Sequence, residues 1–438
     1  MDTIAAIATA PGPAAIAVVR LSGPEAFRVA GELAAGFDAA RAREARLLTL
    51  RDATGPIDRA LVTAFPAPGS FTGEDVVEFS CHGGAFTAAR VLSACLAGGA
   101  REAFAGEFTR RAVVNGKLDL LQAEATGDLL MATAPAQAAQ ALDQLDGNLS
   151  RRILALREAV LHAEALLAYE IDFPEEDDGP VPLAKVESAL ADLRRQLEQL
   201  LATAADGERV RTGALVVLTG PPNAGKSSLF NALLGRDRAM VTAIPGTTRD
   251  AIEADTTFEG YPVRLVDTAG IRMGGDELEQ LGMERSRRWT AEADLVVVCI
   301  SPDVEKSDPS LTLLSTGVVV RTKSDLRFDD SGGDVAVSAV TGEGLEELRL
   351  FLAQRLFGES STRKTTRSEP LLTRERHREG VARALVALTR AEEALADREP
   401  VLAASSLREA ADALLALIGA TNRDDVFDRV FAGFCIGK

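Results

Sequence analysis

The stretch GPPNAGKSS, residues 220–228, follows the apolar run GALVVLTG and opens a helical pattern. Gly220, Gly225, Lys226 and Ser227 keep the spacing GxxxxGK[ST]. A strand that passes through a glycine-rich turn into a helix leaves N–H groups unpaired at the helix start. The peptide dipoles add up to positive charge there. Such a turn cradles phosphates. At this spacing Lys226 reaches the β- and γ-phosphates, and Ser227 offers its hydroxyl to Mg²⁺. Asn223, Ala224 and Ser228 complete the phosphate-contacting set. The turn predicts an α/β domain with a nucleotide at the edge of a parallel sheet.

Three later stretches identify the nucleotide. VDTAG (266–270) ends a strand. Asp267 can hold the Mg²⁺ shell and Gly270 can bring an N–H to the γ-phosphate, with Thr268 and Ala269 between them. TKSD (322–325) ends another strand. The Asp325 carboxylate can accept from the N1–H and amino group of guanine, a donor pair that adenine lacks. Asp325 therefore selects GTP, with Thr322, Lys323 and Ser324 in the same nucleotide-contacting stretch. SAVTGEG (338–344) can supply backbone N–H groups around Ser338, Ala339 and Val340 to the guanine O6. All four stretches come in the order of GTPases. Two positions depart from the usual pattern. Thr322 stands where the guanine motif usually begins with Asn; its hydroxyl still hydrogen-bonds, so guanine specificity is expected to survive with weaker affinity. Ile271 stands where many small GTPases carry a water-orienting Gln. Either hydrolysis is slow or its catalytic group lies elsewhere, and the loop 271–286 offers Asp276, Glu277, Glu279 and Glu284.

The rest of the chain surrounds this domain. A length of 438 residues is too great for one core. Residues 1–117 read as an α+β domain, with strands at 14–23, 59–69 and 75–84 and helices at 25–35 and 86–98. Residues 118–210 read as helical. Leu142, Leu145, Leu149, Ile153, Leu156 and Val160 step by three and four, as do Leu183, Val186, Leu190, Leu193, Leu197 and Leu200. The acidic, proline-bearing DFPEEDDGPVP (172–182) separates the two runs and reads as a solvated connector. Residues 211–361 alternate strands and helices, and residues 362–438 return to helical periodicity, broken at Pro400. The fold class is multidomain: α+β, then a split helical domain, with an α/β domain inserted into it.

Composition narrows the surroundings. A net charge of −17 argues against a broad nucleic-acid-coating surface and against DNA as a partner. The basic run within 363–378 is either a local contact for nucleic-acid phosphate or a solvated linker. Four scattered cysteines form neither a disulfide framework nor a zinc cluster, so a reducing, cytoplasmic location is expected. No apolar stretch approaches the ~20 residues of a membrane span, and the start of the sequence has no basic signal-peptide region.

PGTTRD (245–250), DTAGIR (267–272) with DELEQLGMERS, and the terminal FCIGK together resemble the MnmE (TrmE) family of tRNA modification GTPases. So do FTGEDVVEFSCHGG (71–84), AGEFTRRAVVNGKLDLLQAEA (105–125) and AYEIDFPEED (168–177). The resemblance covers essentially the whole chain. It implies a folate-binding and dimerising N-terminal domain, a split helical domain and an inserted G domain. It also implies a homodimer that works with an MnmG-like flavoprotein carrying the FAD, as a heterotetramer. Together they add a carboxymethylaminomethyl or aminomethyl group at C5 of a tRNA wobble uridine. The one-carbon donor is 5-formyl- or 5,10-methylene-tetrahydrofolate.

Residue roles follow from the same resemblance. Asn223, Thr242, Ile244 and Thr247 are implied K⁺ ligands, with Ala243, Pro245 and Gly246 in the same nucleotide-contacting segment. Thr248 joins Ser227 at Mg²⁺. Glu279 is the implied water-orienting acid. Arg249, Asp250 and Arg272 support the switches when two G domains meet. Arg20, Glu78, Lys117 and Lys438 are implied folate contacts, and Cys435 a candidate catalytic thiol. Ala14 and Ala15 stand where the family commonly has glycines. Two other kinds of GTPase compete with this reading, a ribosome-assembly switch and a dynamin-like mechanical enzyme. The sequence offers neither an appended basic RNA-binding domain nor a membrane-binding helix for them.

Overall fold

A computed structural model describes residues 2–172, 183–235, 253–268, 287–302, 317–326, 333–358, 369–419, 430–431, 434 and 437. The chain divides into two compact units, Met1–Gly127 with Leu415–Lys438, and Asp128–Leu414.

The first unit is built on a six-stranded sheet. Its strands are β1 (Ile4–Ile7), β2 (Ile16–Ser22), β3 (Arg46–Asp52), β4 (Gly55–Phe65), β5 (Val76–His82) and β6 (Arg101–Glu102), in the order β3-β4-β5-β2-β1-β6. All pairs are antiparallel except β1 with β6. Strand side chains alternate between faces. Ala17, Val19 and Leu21 of β2 therefore go inward with Val77, Phe79 and Cys81 of β5. They pack beneath helices α1 (Ala26–Leu33) and α2 (Ala85–Ala97), with Val29, Ala30, Val91 and Cys95 in the same core. The intervening residues of β2 and β5, Ile16, Val18, Arg20, Glu78 and Ser80, take the opposite face. Leu47 of β3 and Leu61 of β4 are register partners and belong to that face. Ile16, Leu47 and Leu61 are 59%, 56% and 44% exposed, so this face is open toward β3 and β4, whereas Ile4 and Ala6 of β1 on the same face are buried with Phe108.

Helices α3 (Glu107–Val114) and α4 (Leu120–Met131) follow. Phe431 and Phe434 from the far end of the sequence pack on Leu120, Ala123 and Val113. A Cβ added at Gly437 would lie 2.4 Å from the Ile7 carbonyl oxygen, so the tail lies hard against the end of β1.

The second unit holds α5 (Pro135–Leu145), α6 (Asn148–Asp172), α7 (Leu183–Ala202) and α8 (Ala204–Thr212), then the sheet, then later helices. The sheet contains β7 (Ala214–Thr219), β8 (Glu253–Phe258), β9 (Tyr261–Asp267), β10 (Leu295–Ile300), β11 (Val318–Arg321) and β12 (Val335–Ala336), in the order β12-β11-β10-β7-β9-β8. It is parallel except for β8, an antiparallel edge strand. Helices α9 (Lys226–Leu234) and α10 (Leu345–Phe357) accompany it, and α11 (Glu375–Ala396) and α12 (Pro400–Leu417) close the unit. Pro400 begins α12, where a missing N–H costs nothing. Helix α11 packs along α7, and the ion pairs Arg152–Glu369 and Arg194–Glu392 join segments on either side of the inserted sheet.

The leucine stripe read through Leu142 to Val160 is broken in the structure. Gly147 takes φ +82° between α5 and α6. Leu149, Ile153, Leu156 and Val160 are buried, whereas Leu142, on the near side of the break, is 48% exposed.

Candidate functional site

Strand β7 is buried at every position, which makes it the central rail of the sheet. At its end Gly220 takes φ +135°, and a Cβ there would lie 2.3 Å from the Cys299 carbonyl oxygen on neighbouring β10. Only glycine fits that close approach. Asn223 and Gly225 also adopt left-handed conformations, with φ of 61° and 78°. Gly225 caps α9, so the N–H groups of that helix's first turn face the loop.

Lys226 is buried. Its ammonium donates to the carbonyl oxygens of Gly220 (2.8 Å) and Pro221 (2.6 Å), inside the loop it serves. Ser227 Oγ donates to Asp267 Oδ2 at 2.6 Å. Asp267 reaches it because β9 pairs with β7 in a register that sets Asp267 beside Leu218. Thr268 Oγ1 donates to the Leu218 carbonyl at 2.8 Å. A hydroxyl and a carboxylate side by side are the hard oxygen donors that Mg²⁺ takes. Among the described residues no cluster of three His, Cys, Asp or Glu side chains could hold a metal on its own. Ser227 and Asp267 are the described residues that would hold Mg²⁺, an ion that also takes phosphate oxygens.

The stretch read as base-selecting, 322–325, follows β11 at the same sheet. Thr322 is buried, and its hydroxyl lies 2.6 Å from the Ala224 carbonyl oxygen and 3.0 Å from that of Ile300. Ser338 Oγ donates to Asp325 Oδ1 at 2.7 Å and accepts from the Thr341 N–H at 3.2 Å. The Ser324 N–H donates to the Val337 carbonyl at 3.1 Å. One carboxylate oxygen of Asp325 is thereby steadied by Ser338. The link from Thr322 to Ala224 joins the base loop to the phosphate loop, a connection that pattern reading did not reveal.

In the first unit, Arg20 and Glu78 are register partners on β2 and β5 and form an ion pair at 2.8 Å. The Arg20 guanidinium also lies 5.4 Å from the Phe71 ring centroid and 5.6 Å from that of Phe108. Lys117 is exposed, with its stem against the turn at Gly73. Next to this group, buried Arg111 pairs with Asp2, Glu74 and Glu107. Ser22 and Thr72 bond to one another, and Ser22 also donates to Glu74. Sequence reading missed that network, since its members come from four separate segments.

Several predicted residues lie outside the described ones: Thr242, Ala243, Ile244, Pro245, Gly246, Thr247, Thr248, Arg249, Asp250, Ala269, Gly270, Ile271, Arg272, Glu279, Cys435 and Lys438. So does part of the basic run. Of its described arginines, Arg374 pairs with Asp128 and Arg378 with Glu375.

Cys95 and Cys299 are buried, and burial pushes both thiols up to about 12. Neither is a nucleophile at neutral pH.

A nucleotide-binding edge of this kind belongs to the P-loop GTPases, and this chain is one of them. Residues 120–435 match the MnmE helical domain and residues 3–117 match the N-terminus of the GTP-binding protein TrmE. The chain belongs to the MnmE family of tRNA modification GTPases. It is 42% identical over 443 residues to the tRNA modification GTPase MnmE of Parvibaculum lavamentivorans, covering 100% of both chains. It is 44% identical over 445 residues to that of Methylorubrum populi, covering 100% of this chain and 98% of the relative. Among solved structures, the G domain of the T. maritima FeoB iron transporter aligns at 30% identity with a TM-score of 0.24, over 32% of this chain and 98% of that one. No helix among the described residues is long and apolar enough to cross a membrane.

Proposed function

We propose that this chain uses GTP hydrolysis to drive C5 modification of the wobble uridine of certain tRNAs, with a one-carbon unit held on tetrahydrofolate. The observation that carries the reading is the Ser227–Asp267 hydrogen bond beside Lys226 in a glycine-shaped loop. These groups are set for a triphosphate and its cation. On binding, Lys226 exchanges its two loop carbonyls for phosphate oxygens. The α9 N–H groups take further oxygens, and Ser227 turns a lone pair to the cation. Mg²⁺ supplies the positive charge that offsets charge developing on the phosphates. Asp325 accepts from the guanine N1–H and amino group, and N–H groups at Ala339 and Val340 face O6.

Ile271 has no polar atom for the attacking water, and Glu279 takes that role by family resemblance. Asn223, at the rim of the loop, is one oxygen donor toward K⁺, with Thr242, Ile244 and Thr247. Held by these oxygens, K⁺ would supply the charge that an arginine supplies elsewhere at the transition state. In the first unit, Arg20 beside the Phe71 ring, Glu78 paired with it and Lys117 near Gly73 offer a cation, a carboxylate and a second cation. That chemistry suits the flat pterin and anionic tail of a folate. Lys438 and Cys435 would join it from the tail. The exposed apolar Ile16, Leu47 and Leu61 on the same face support a homodimer through this unit. The redox step falls to a flavoprotein partner.

Mass spectrometry of tRNA nucleosides from a strain lacking the gene tests the proposal. Loss of the C5-substituted wobble uridines is the expected result, and an unchanged nucleoside profile would refute it.

A further inference from the structure

The hydroxyl of Thr322 has one proton. The two oxygens nearest to it, those of Ala224 at 2.6 Å and Ile300 at 3.0 Å, are carbonyls and can only accept. The side chain is 3% exposed, so water does not compete for that proton. A Cβ placed on Gly225 would sit 3.3 Å from the Thr322 Cβ and Oγ1, so the residue packs directly under the cap of α9. Its proton is committed to the phosphate loop. The ring nitrogen N7 of guanine is an acceptor only, so it too would need that proton. Turning the hydroxyl to N7 would strip a buried carbonyl of its donor, which costs more than one exposed bond returns. An asparagine at this position would have two amide protons and could serve both acceptors.

We propose that Thr322 is a positioning residue for the phosphate loop and reads no atom of the base, so that this GTPase binds 7-deazaguanine nucleotides as well as guanine nucleotides. The inference rests on the nucleotide site described above. Base selection then falls to Asp325, braced by Ser338, and to the N–H groups of the following loop.

The test is competition of GDP, 7-deaza-GDP and ADP against a fluorescent GDP on the full chain. The wild type and Thr322→Ser should bind GDP and 7-deaza-GDP within about twofold of each other, since no bond to N7 is lost. Thr322→Asn should favour GDP over 7-deaza-GDP by roughly fivefold, the worth of one regained hydrogen bond. Thr322→Val should weaken GDP and 7-deaza-GDP equally and keep the preference for both over ADP. A wild type that discriminates against 7-deaza-GDP by about fivefold or more would overturn the inference and leave the site intact. Failure of the wild type to bind GDP at all would overturn the site itself. The wild-type and Thr322→Ser ratios decide the question even if the larger substitutions do not fold.

Discussion

At residue 220 the chain leaves β7 with φ +135°, and the space a methyl group would need is held by a backbone carbonyl 2.3 Å away. Gly220→Ala should therefore weaken GDP binding by roughly tenfold or more, the cost of a displaced loop. Titration with a fluorescent GDP reads this directly, and wild-type affinity would mean that the loop adapts. A second prediction concerns charge. Hydrogen bonds from Arg101, and after it Arg111, hold the Asp2 carboxyl down from 3.8 to about 2. A folded pKa below the unfolded one means that the stabilisation is complete above about 4 and lost as pH falls toward 2. Urea midpoints should fall across that window, and Arg101→Ala should flatten the fall. A wild-type midpoint that is constant from pH 5 to 2 would remove Asp2 from the balance. The phosphate-loop residues were legible because phosphate chemistry demands those residue types at one spacing. The Arg20–Glu78 pair was not, because its partners lie 58 residues apart and only the strand order brings them together.

Among the elements, β2, β4, β5, α1 and α2 could be read from alternation and small-residue runs. Strand β3 could not. Its RLLTLRD carries two adjacent leucines, Leu47 exposed and Leu48 half-buried, so the period of two is blurred. Two-residue β6 is too short to leave any period. The break at Gly147 was overrun because leucine spacing continues across it in sequence while the backbone does not. Phe431, Phe434 and Gly437 give the tail a surface: α3, α4 and the end of β1. Gly437→Val should dislodge it. Nucleoside analysis of tRNA should then show loss of wobble modification, while GTP binding by the purified chain stays unchanged. Normal modification in this variant would separate the tail from the chemistry.

For the whole molecule, the proposed cycle needs two copies. Sedimentation should report a dimer with or without nucleotide, through the open sheet face of the first unit. GTP turnover per chain should rise with protein concentration in K⁺ and stay low in Na⁺, and Glu279→Ala should dimerise yet hydrolyse poorly. Equal rates in the two salts would remove Asn223 from ion binding. The split helical part also has a consequence for synthesis. The apolar seam of α7, with Val186, Leu190, Leu193 and Leu197, is buried beside α11. The ion-pair partner Glu392 follows Arg194 by 198 residues. At ~5–20 residues per second that seam waits on the ribosome for about 10–40 s. The sheet β7–β12 emerges in that interval and can close first. During each round of translation an unfinished bundle therefore stands open while the nucleotide-binding body hangs between its halves.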